Sequence, residues 1–369
     1  MPRPKPSPAP VGPAQTAAET ALVEAVRAAL REHYARHARL LPWRNTRDPW
    51  AIWVSEVMLQ QTRVDTVIPY WERFMRRFPT PAAMAGADEA EVLAQWAGLG
   101  YYRRARLLHA GAKAVAEGFG GEVPAEAKAL RGLPGVGAYT AGAIGSIAFG
   151  LPVPLVDGNV ERVLSRIHGV DGDPRTGPVR ARLWQLAARY ADAPDPAVVN
   201  QSLMELGATV CSPTRPGCLV CPARRHCHAA ASPNPERWPQ KSPATPQRPE
   251  RWSALVPLRG DAAWLVPSGL GRWAGMLVPV MVCTDNDRPV ADWSSVFPEA
   301  PHLRASRPVG QIVHVLTHAR MEISVTAAAL PEALTPQGDG RFVRRAELAA
   351  LPVPKVTLRV LGLVDAHRP

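Results

Sequence analysis

Six prolines between Ser232 and Glu250 (SPNPERWPQKSPATPQRPE) constrain the folding of this chain more than any other feature. Proline fixes φ and removes an amide donor, so a run this dense reads as an extended, polyproline-like segment that cannot pack a core. The chain on either side must build its own core, and 369 residues suffice for two. A second such stretch opens the chain, where six of the first 13 residues are proline. The expected organisation is a disordered tail over 1–18, a domain over 19–230, a linker over 231–250 and a second domain over 251–369.

The two parts differ in texture. Thr20 is placed to cap a helix through LVEAVRAALREHYARHARL, with Leu22, Val26, Leu30 and Tyr34 on one stripe. Asp48-Pro49, a cap followed by proline at the first helical position, opens WAIWVSEVMLQQ. Further helices are expected near Asp65–Phe78, Asp88–Ala97, Tyr102–Glu117, Ala138–Phe149, Val160–Ile167 and Gly177–Tyr190. No strand alternation precedes the cysteines, so this part reads as all-α. Beyond the linker, Trp252–Leu258, Ala263–Pro267, Met276–Cys283, Ile312–Leu316 and Met321–Ala327 read as short strands. With a short helix near Arg344–Ala350 they make a smaller α+β domain.

Composition enters as a bound on partners. The net charge of +11 invites a polyanion, and it divides +7 and +4 between residues 1–230 and 231–369. Nothing resembles a membrane span of ~18 apolar residues. The N-terminus lacks the apolar core of a signal peptide, so a cytoplasmic location is expected.

Four features carry chemistry. Cys211-x6-Cys218-x2-Cys221-x5-Cys227 crowds four of the five cysteines together. In a reducing compartment that points to a metal or cluster site rather than disulfides. Structural zinc usually pairs two knuckles across a longer spacer, so an iron–sulfur cluster on four thiolates is the better match. Four buried free thiols are the plainer alternative, and the remote Cys283 reads as a core residue. Next, Leu133-Pro-Gly-Val-Gly-Ala-Tyr-Thr140 sits between two helical segments. Gly135 and Gly137 permit a backbone that aims successive N–H groups outward at a helix start, an anion site suited to a DNA phosphate. A plain helix–helix turn would use the same glycines.

Glu56 is the third. The stretch Trp50–Leu59 has only Ser55 and Glu56 as polar residues, so the carboxylate has no solvated face. Desolvation should raise its pKa, and a carboxyl that keeps its proton near neutral pH is what a general acid requires. An ion pair with Arg44 or Arg63 would instead make it structural. Fourth, Val156-Asp157-Gly158-Asn159-Val160 closes an apolar run and opens a helix. Asp157 or Asn159 is an N-cap candidate, and the alternative is a carboxylate facing the sugar of a bound nucleotide.

In this order the residues resemble the helix-hairpin-helix DNA glycosylases, and within them the MutY-type adenine DNA glycosylases. The matching runs are Leu41-Pro42-Trp43-Arg44, Ser55-Glu56-Val57-Met58-Leu59-Gln60-Gln61-Thr62, Gly98-Leu99-Gly100-Tyr101-Tyr102, the glycine hairpin, Asp157-Gly158-Asn159-Val160 and the four cysteines. The resemblance implies a mainly α helix-hairpin-helix glycosylase fold with an iron–sulfur cluster loop, its six-helix region over 41–150 and its cluster side over 19–40 and 151–230. A smaller α+β, Nudix-like domain would follow. The implied activity is removal of adenine mispaired with 8-oxoguanine or guanine in double-stranded DNA, by a monomer, after the base is flipped into a pocket.

The same resemblance assigns roles. Glu56 would protonate the purine at N7, Asp157 would stabilise the oxocarbenium-like sugar and can trap it, and Asn159 and Tyr139 would orient water and the acids. Cys211, Cys218, Cys221 and Cys227 would hold one 4Fe-4S cluster, with Arg224 and Arg225 making its loop basic. DNA contacts would come from Arg44, Gln60 as a wedge in the base stack, Gln61, Thr62, Tyr101, Leu133, Gly135, Val136 and Gly137. Endonuclease III-like relatives carry a nucleophilic lysine where this chain has Tyr139, and Lys113 and Lys128 are the only lysines between Thr20 and Ala230. A Schiff base needs an amine, so a monofunctional glycosylase is expected. In the C-terminal part, Gly269–Pro279 and Val313–His318 resemble the Nudix-like lesion reader. Leu316-Thr317-His318 stands where many relatives have Phe-Ser-His, leaving Thr317 and His318 as lesion contacts or as buried strand residues. No hydrolase signature of Nudix type is present, so that domain should bind only. The competing readings are a non-catalytic DNA-binding protein and a glycosylase for another base.

Overall fold

The computed structural model describes residues 13–242, 246–269, 273–285, 307–316, 319–332, 334 and 338–367. By its contacts the chain divides into two compact units, residues 1–56 with 123–242 and residues 57–122 with 243–369. The proline-rich segment is therefore not the only boundary: the division falls between Glu56 and Val57, and again near Val123.

The first unit is helical. It contains α1 (Pro13–His37), most of α2 (Pro49–Leu59), α7 (Ala127–Gly132), α8 (Ala138–Phe149), α9 (Gly158–His168), α10 (Gly177–Ala191) and α11 (Pro196–Thr209). Thr20 does not cap α1. The helix starts at Pro13, because proline is pre-organised for the first turn and the alanines after it are strong helix formers. Asp48 does open α2, its Oδ1 accepting from the Trp50 amide at 2.9 Å. One core gathers Val26 and Leu30 of α1, Ile52 of α2, Ala143 of α8, Val163 and Leu164 of α9, Leu186 of α10 and Leu203 of α11. The start of the proline-rich segment docks on this unit rather than standing clear of it. Trp238 is buried, donates from Nε1 to Asp171 Oδ1 at 3.1 Å, and its carbonyl accepts from Arg166 Nε at 2.9 Å.

The second unit joins α3 (Val64–Arg77), α4 (Pro81–Ala85), α5 (Glu89–Trp96) and α6 (Arg103–Gly118) to the strand-bearing part. Its strands are β1 (Arg248–Arg259), β2 (Ala262–Pro267), β3 (Leu277–Val278), β4 (Val280–Cys283), β5 (Arg307–Val315), β6 (Ala319–Ala329) and β7 (Arg341–Arg344). The sheet runs β3-β2-β1-β6-β5, with β4 on β1 and β7 on β2. β1 and β6 pair in parallel from Arg248↔Ala319 to Leu258↔Ala329, and the other pairings are antiparallel. On β6 the alternating Ala319, Met321, Ile323 and Val325 are buried, as a half-covered strand requires. The helix expected near Arg344 is a 3-10 helix, Arg345–Ala350, and α12 (Lys355–Ala366) follows with Val356, Val360 and Val364 buried.

Two helix starts carry candidate residues, Tyr139 on α8 and Asp157 before α9. Gly142 of α8 lets the chain between them lie close: a Cβ there would come within 2.0 Å of the Pro154 carbonyl oxygen. Gly142→Ala should therefore destabilise the fold by about 1–3 kcal/mol, the usual cost of overpacking, because backbone rather than a side-chain tip must give way. Urea unfolding of the variant against the parent measures this.

Candidate active site

Burial surrounds Glu56 on every side. α2 is buried without a break from Trp50 to Met58, as expected of a helix that is apolar all round. Glu56 itself is 4% exposed. Among the described residues it makes no ion pair, because Arg44 turns to Glu205 at 2.7 Å instead. Its Oε2 accepts from the Tyr139 hydroxyl. Burial raises the carboxyl to about 7, and the neighbouring Asp157 adds to the rise, while the Tyr139 hydrogen bond and Arg44 oppose it. Burial, with Glu56 and Asp157 nearby, also drives the Tyr139 hydroxyl well above its ordinary range, so it stays a donor.

Asp157 is at once helix cap and neighbour of Glu56. Its Oδ1 accepts from the amides of Asn159 (3.0 Å) and Val160 (2.7 Å), and its Oδ2 from Asn159 Nδ2 at 3.0 Å. Burial pushes this carboxyl up, and those amides with Arg162 pull it part of the way back. Its capping role thus coexists with the functional reading instead of replacing it. Asn159 is fixed in turn: its Oδ1 accepts from Arg162 Nη2 at 2.9 Å, and Gly207 of α11 presses against its Cβ, where a Cβ on the glycine would approach to 2.6 Å.

Three supports were not among the expected residues. Arg162, buried on α9, also donates to the carbonyls of Gly207 (2.7 Å) and Cys211 (2.7 Å). Glu205 of α11, 3% exposed, takes Arg39 at 2.8 Å and Arg44 at 2.7 Å. Burial pushes its carboxyl up, but the two arginines outweigh that and hold it at about 2. Arg104 on α6 is the third. The opening Asp195-Pro196 repeats the Asp48-Pro49 pattern and was the available signal for α11.

The candidate DNA contacts fall on turns. Gly135 and Gly137 are exposed between the buried anchors Leu133 and Val136, and no side chain caps the α8 start at Gly137. Gly135 has φ +77°, which favours glycine. Gln60 is half-buried, whereas Gln61 is exposed. Thr62 lies on the same turn as Gln60 and Gln61, and Tyr101 on the Gly98–Tyr102 loop that precedes α6. Thr317 and His318 fall outside the described residues.

Cys211, Cys221 and Cys227 pack against the core of the first unit, and burial pushes the Cys221 thiol up to about 12, with the other three cysteines adding to the rise. The four are thus electrostatic neighbours. No three His, Cys, Asp or Glu side chains among the described residues are already gathered into a metal-ion site. An iron–sulfur cluster is held by four Cys thiolates. Arg166 Nη1 donates to Cys211 Sγ at 3.3 Å, and such donors suit a cluster thiolate. The donor set fits that group. Arg224 and Arg225 are exposed between Cys221 and Cys227.

A family model described as HhH-GPD superfamily base excision DNA repair protein matches residues 54–189. The adenine DNA glycosylase of Rattus norvegicus is 34% identical over 421 residues, covering 97% of this chain and 81% of its own. That of Homo sapiens is 48% identical over 220 residues, or 57% of this chain and 40% of its own. A solved thermostable thymine-DNA glycosylase is 27% identical with a TM-score of 0.52, over 58% of this chain and 99% of its own. Fold and comparisons together define a DNA glycosylase of base excision repair, a hydrolase. The chain belongs to the adenine DNA glycosylase family. No helix among the described residues is long and apolar enough to cross a membrane.

Keeping Glu56 protonated has a cost in stability. With an ordinary value of 4.5 and a folded value of about 7, the unfolded chain ionises first, so stability falls as pH rises through that window. The loss is complete above about pH 7 and amounts to roughly 3 kcal/mol. Glu56→Gln, which mimics the neutral acid, should therefore be more stable than the parent at pH 8 and nearly equal to it at pH 4.5. An equal shift at both pH values in urea unfolding would contradict the burial argument.

Proposed function

We propose that the chain excises adenine paired with 8-oxoguanine or guanine in duplex DNA, as a monofunctional enzyme acting as a monomer. The observation that supports this best is the buried Glu56, held near a pKa of about 7 and hydrogen-bonded by Tyr139 beside Asp157. A non-catalytic DNA-binding protein would have no need of an unpaired carboxyl that is 4% exposed.

With the base flipped out, the proton of Glu56 passes to purine N7 and the C1′–N9 bond breaks. Its electron pair leaves with neutral adenine. The sugar is left as an oxocarbenium-like cation, which the Asp157 carboxylate stabilises and can trap. Water then adds at C1′, and its proton returns to Glu56. Asn159 and Tyr139 hold the two acids and the water in place. Arg44, Gln60, Gln61, Thr62, Tyr101 and the Leu133–Gly137 hairpin, Gly135 and Val136 included, are assigned to DNA. Hairpin amides at the α8 start suit a phosphate. One 4Fe-4S cluster on Cys211, Cys218, Cys221 and Cys227 would order the basic Arg224–Arg225 turn. The catalytic part is assigned to 19–230 and lesion reading to 251–369, with Thr317 and His318 as its contacts.

Free adenine released from an adenine:8-oxoguanine duplex tests the whole reading, with guanine opposite as the second substrate. Glu56→Gln should abolish release while DNA binding changes modestly, and a near-parental single-turnover rate in this variant rejects the general acid. The rate should fall as pH rises through about 7, tenfold per unit, as Glu56 loses its proton. An acid limb should appear above the ordinary aspartate range, because Asp157 is raised and must be ionised. With Tyr139 in place of a lysine, borohydride should trap little enzyme on DNA. Stoichiometric zinc without iron in the purified protein would overturn the cluster assignment.

A further inference from the structure

One side chain in the second unit holds two loops at once. Arg104, 9% exposed near the start of α6, donates from Nη1 to the carbonyls of Val57 (2.7 Å), Met58 (2.9 Å) and Gln60 (2.6 Å). From Nη2 it reaches Thr62 Oγ1 at 3.2 Å and the Gly100 carbonyl at 3.2 Å. Its guanidinium also lies 5.4 Å from the ring centroids of both Trp96 and Tyr101. The Trp96 indole closes the bracket by donating to the same Gly100 carbonyl at 3.1 Å.

The apexes of these loops are strained. Of three non-glycine residues with positive φ among the described residues, two are Gln61 (+59°) and Tyr101 (+50°), one on each loop. Both are exposed, Tyr101 by 48%. Left-handed backbone at a non-glycine residue persists only where the surroundings over-determine it, and here Arg104 supplies the surroundings. Closing one helix end would not require a buried charge that spans two loops. Burial brings the guanidinium down to about 10, which leaves it charged at neutral pH.

We propose that Arg104 is a positioning residue that locks the Gln60–Thr62 and Gly98–Tyr102 loops into one rigid pair, so that the exposed Gln61, rather than the half-buried Gln60, enters the base stack together with Tyr101 and forces the adenine out. This rests on the glycosylase reading above. A side chain pushed between stacked bases extrudes a nucleotide only if its own backbone does not yield first. The planar fork of arginine can donate to both loops simultaneously, whereas a lysine ammonium is a single point.

Two duplexes separate this role from a merely structural one. The first places the target adenine opposite guanine, and the second opposite an abasic-site analogue, where no pair has to be broken. Arg104→Lys should slow single-turnover release from the first by about 30- to 100-fold, the scale of an unpaid unpairing cost. Release from the second should stay within about threefold of the parent, since flipping is least costly for an unpaired base. Trp96→Phe, which removes the indole bond to the Gly100 carbonyl, should show the same bias at smaller size and guards against a folding failure of Arg104→Lys. Equal slowing on both duplexes, or slowing on neither, overturns the lock. Absence of release by the parent protein on both overturns the glycosylase reading and this proposal with it.

Discussion

Desolvation of one carboxyl is the constraint on which the rest of the first unit depends. A glutamate placed in a helix buried from Trp50 to Met58 either finds a cation or keeps its proton. The cation within reach, Arg44, is taken by Glu205, so the structure selects the proton. That arrangement needs α11 to deliver Glu205 beneath Arg44, and α8 to bring the Tyr139 hydroxyl to Glu56. The Tyr139 bond favours the charged form, so it sets a ceiling on the rise while fixing the direction of the carboxyl. Acid strength and orientation are thus opposing demands met by two different neighbours.

The second carboxyl solves a different problem. Asp157 must keep a negative charge in a half-buried place, and a helix N-terminus is where that is least costly. Three hydrogen bonds from Asn159 and Val160 stabilise its ionised form against burial. Two carboxyls with different hydrogen-bond environments can therefore hold different protonation states at one pH, which is the division of labour that glycosidic cleavage needs. Arg162 extends this order. By donating to Asn159 Oδ1 and to the Gly207 and Cys211 carbonyls, it ties the cap of α9 to the chain that enters the cysteine loop.

Much of this was legible in the sequence because it is local. Asp48-Pro49 names its own helix, the apolar run around Glu56 announces burial within a single helix, and Asp157-Gly158-Asn159 is a cap by its residue types alone. What escaped depends on distant partners. Nothing near Glu205 indicates that Arg39 and Arg44 lie against it, and nothing near Arg104 indicates that it holds a loop more than 40 residues earlier in the chain. The α11 helix, by contrast, carries its own local signals in Asp195-Pro196 and a buried Val199, Leu203, Leu206 stripe. Thr20 failed as a cap for the opposite reason: a good local signal was overrun by a helix whose earlier residues propagate it equally well.

Three of the buried arginines share one logic. Arg104, Arg162 and Arg166 each place a guanidinium among backbone carbonyls rather than opposite a carboxylate. A carboxylate partner would cancel the charge and fix one point, whereas several carbonyls spread it over several segments and fix them relative to one another. Carbonyl groups at helix ends and in turns are also the ones left without intrahelical partners, so the same bonds satisfy orphan acceptors. The chain has 38 arginines to five lysines. Base composition can set that ratio at the surface, but inside the protein only the five-donor fork performs this task, and lysine at these three positions would leave carbonyls unpaired.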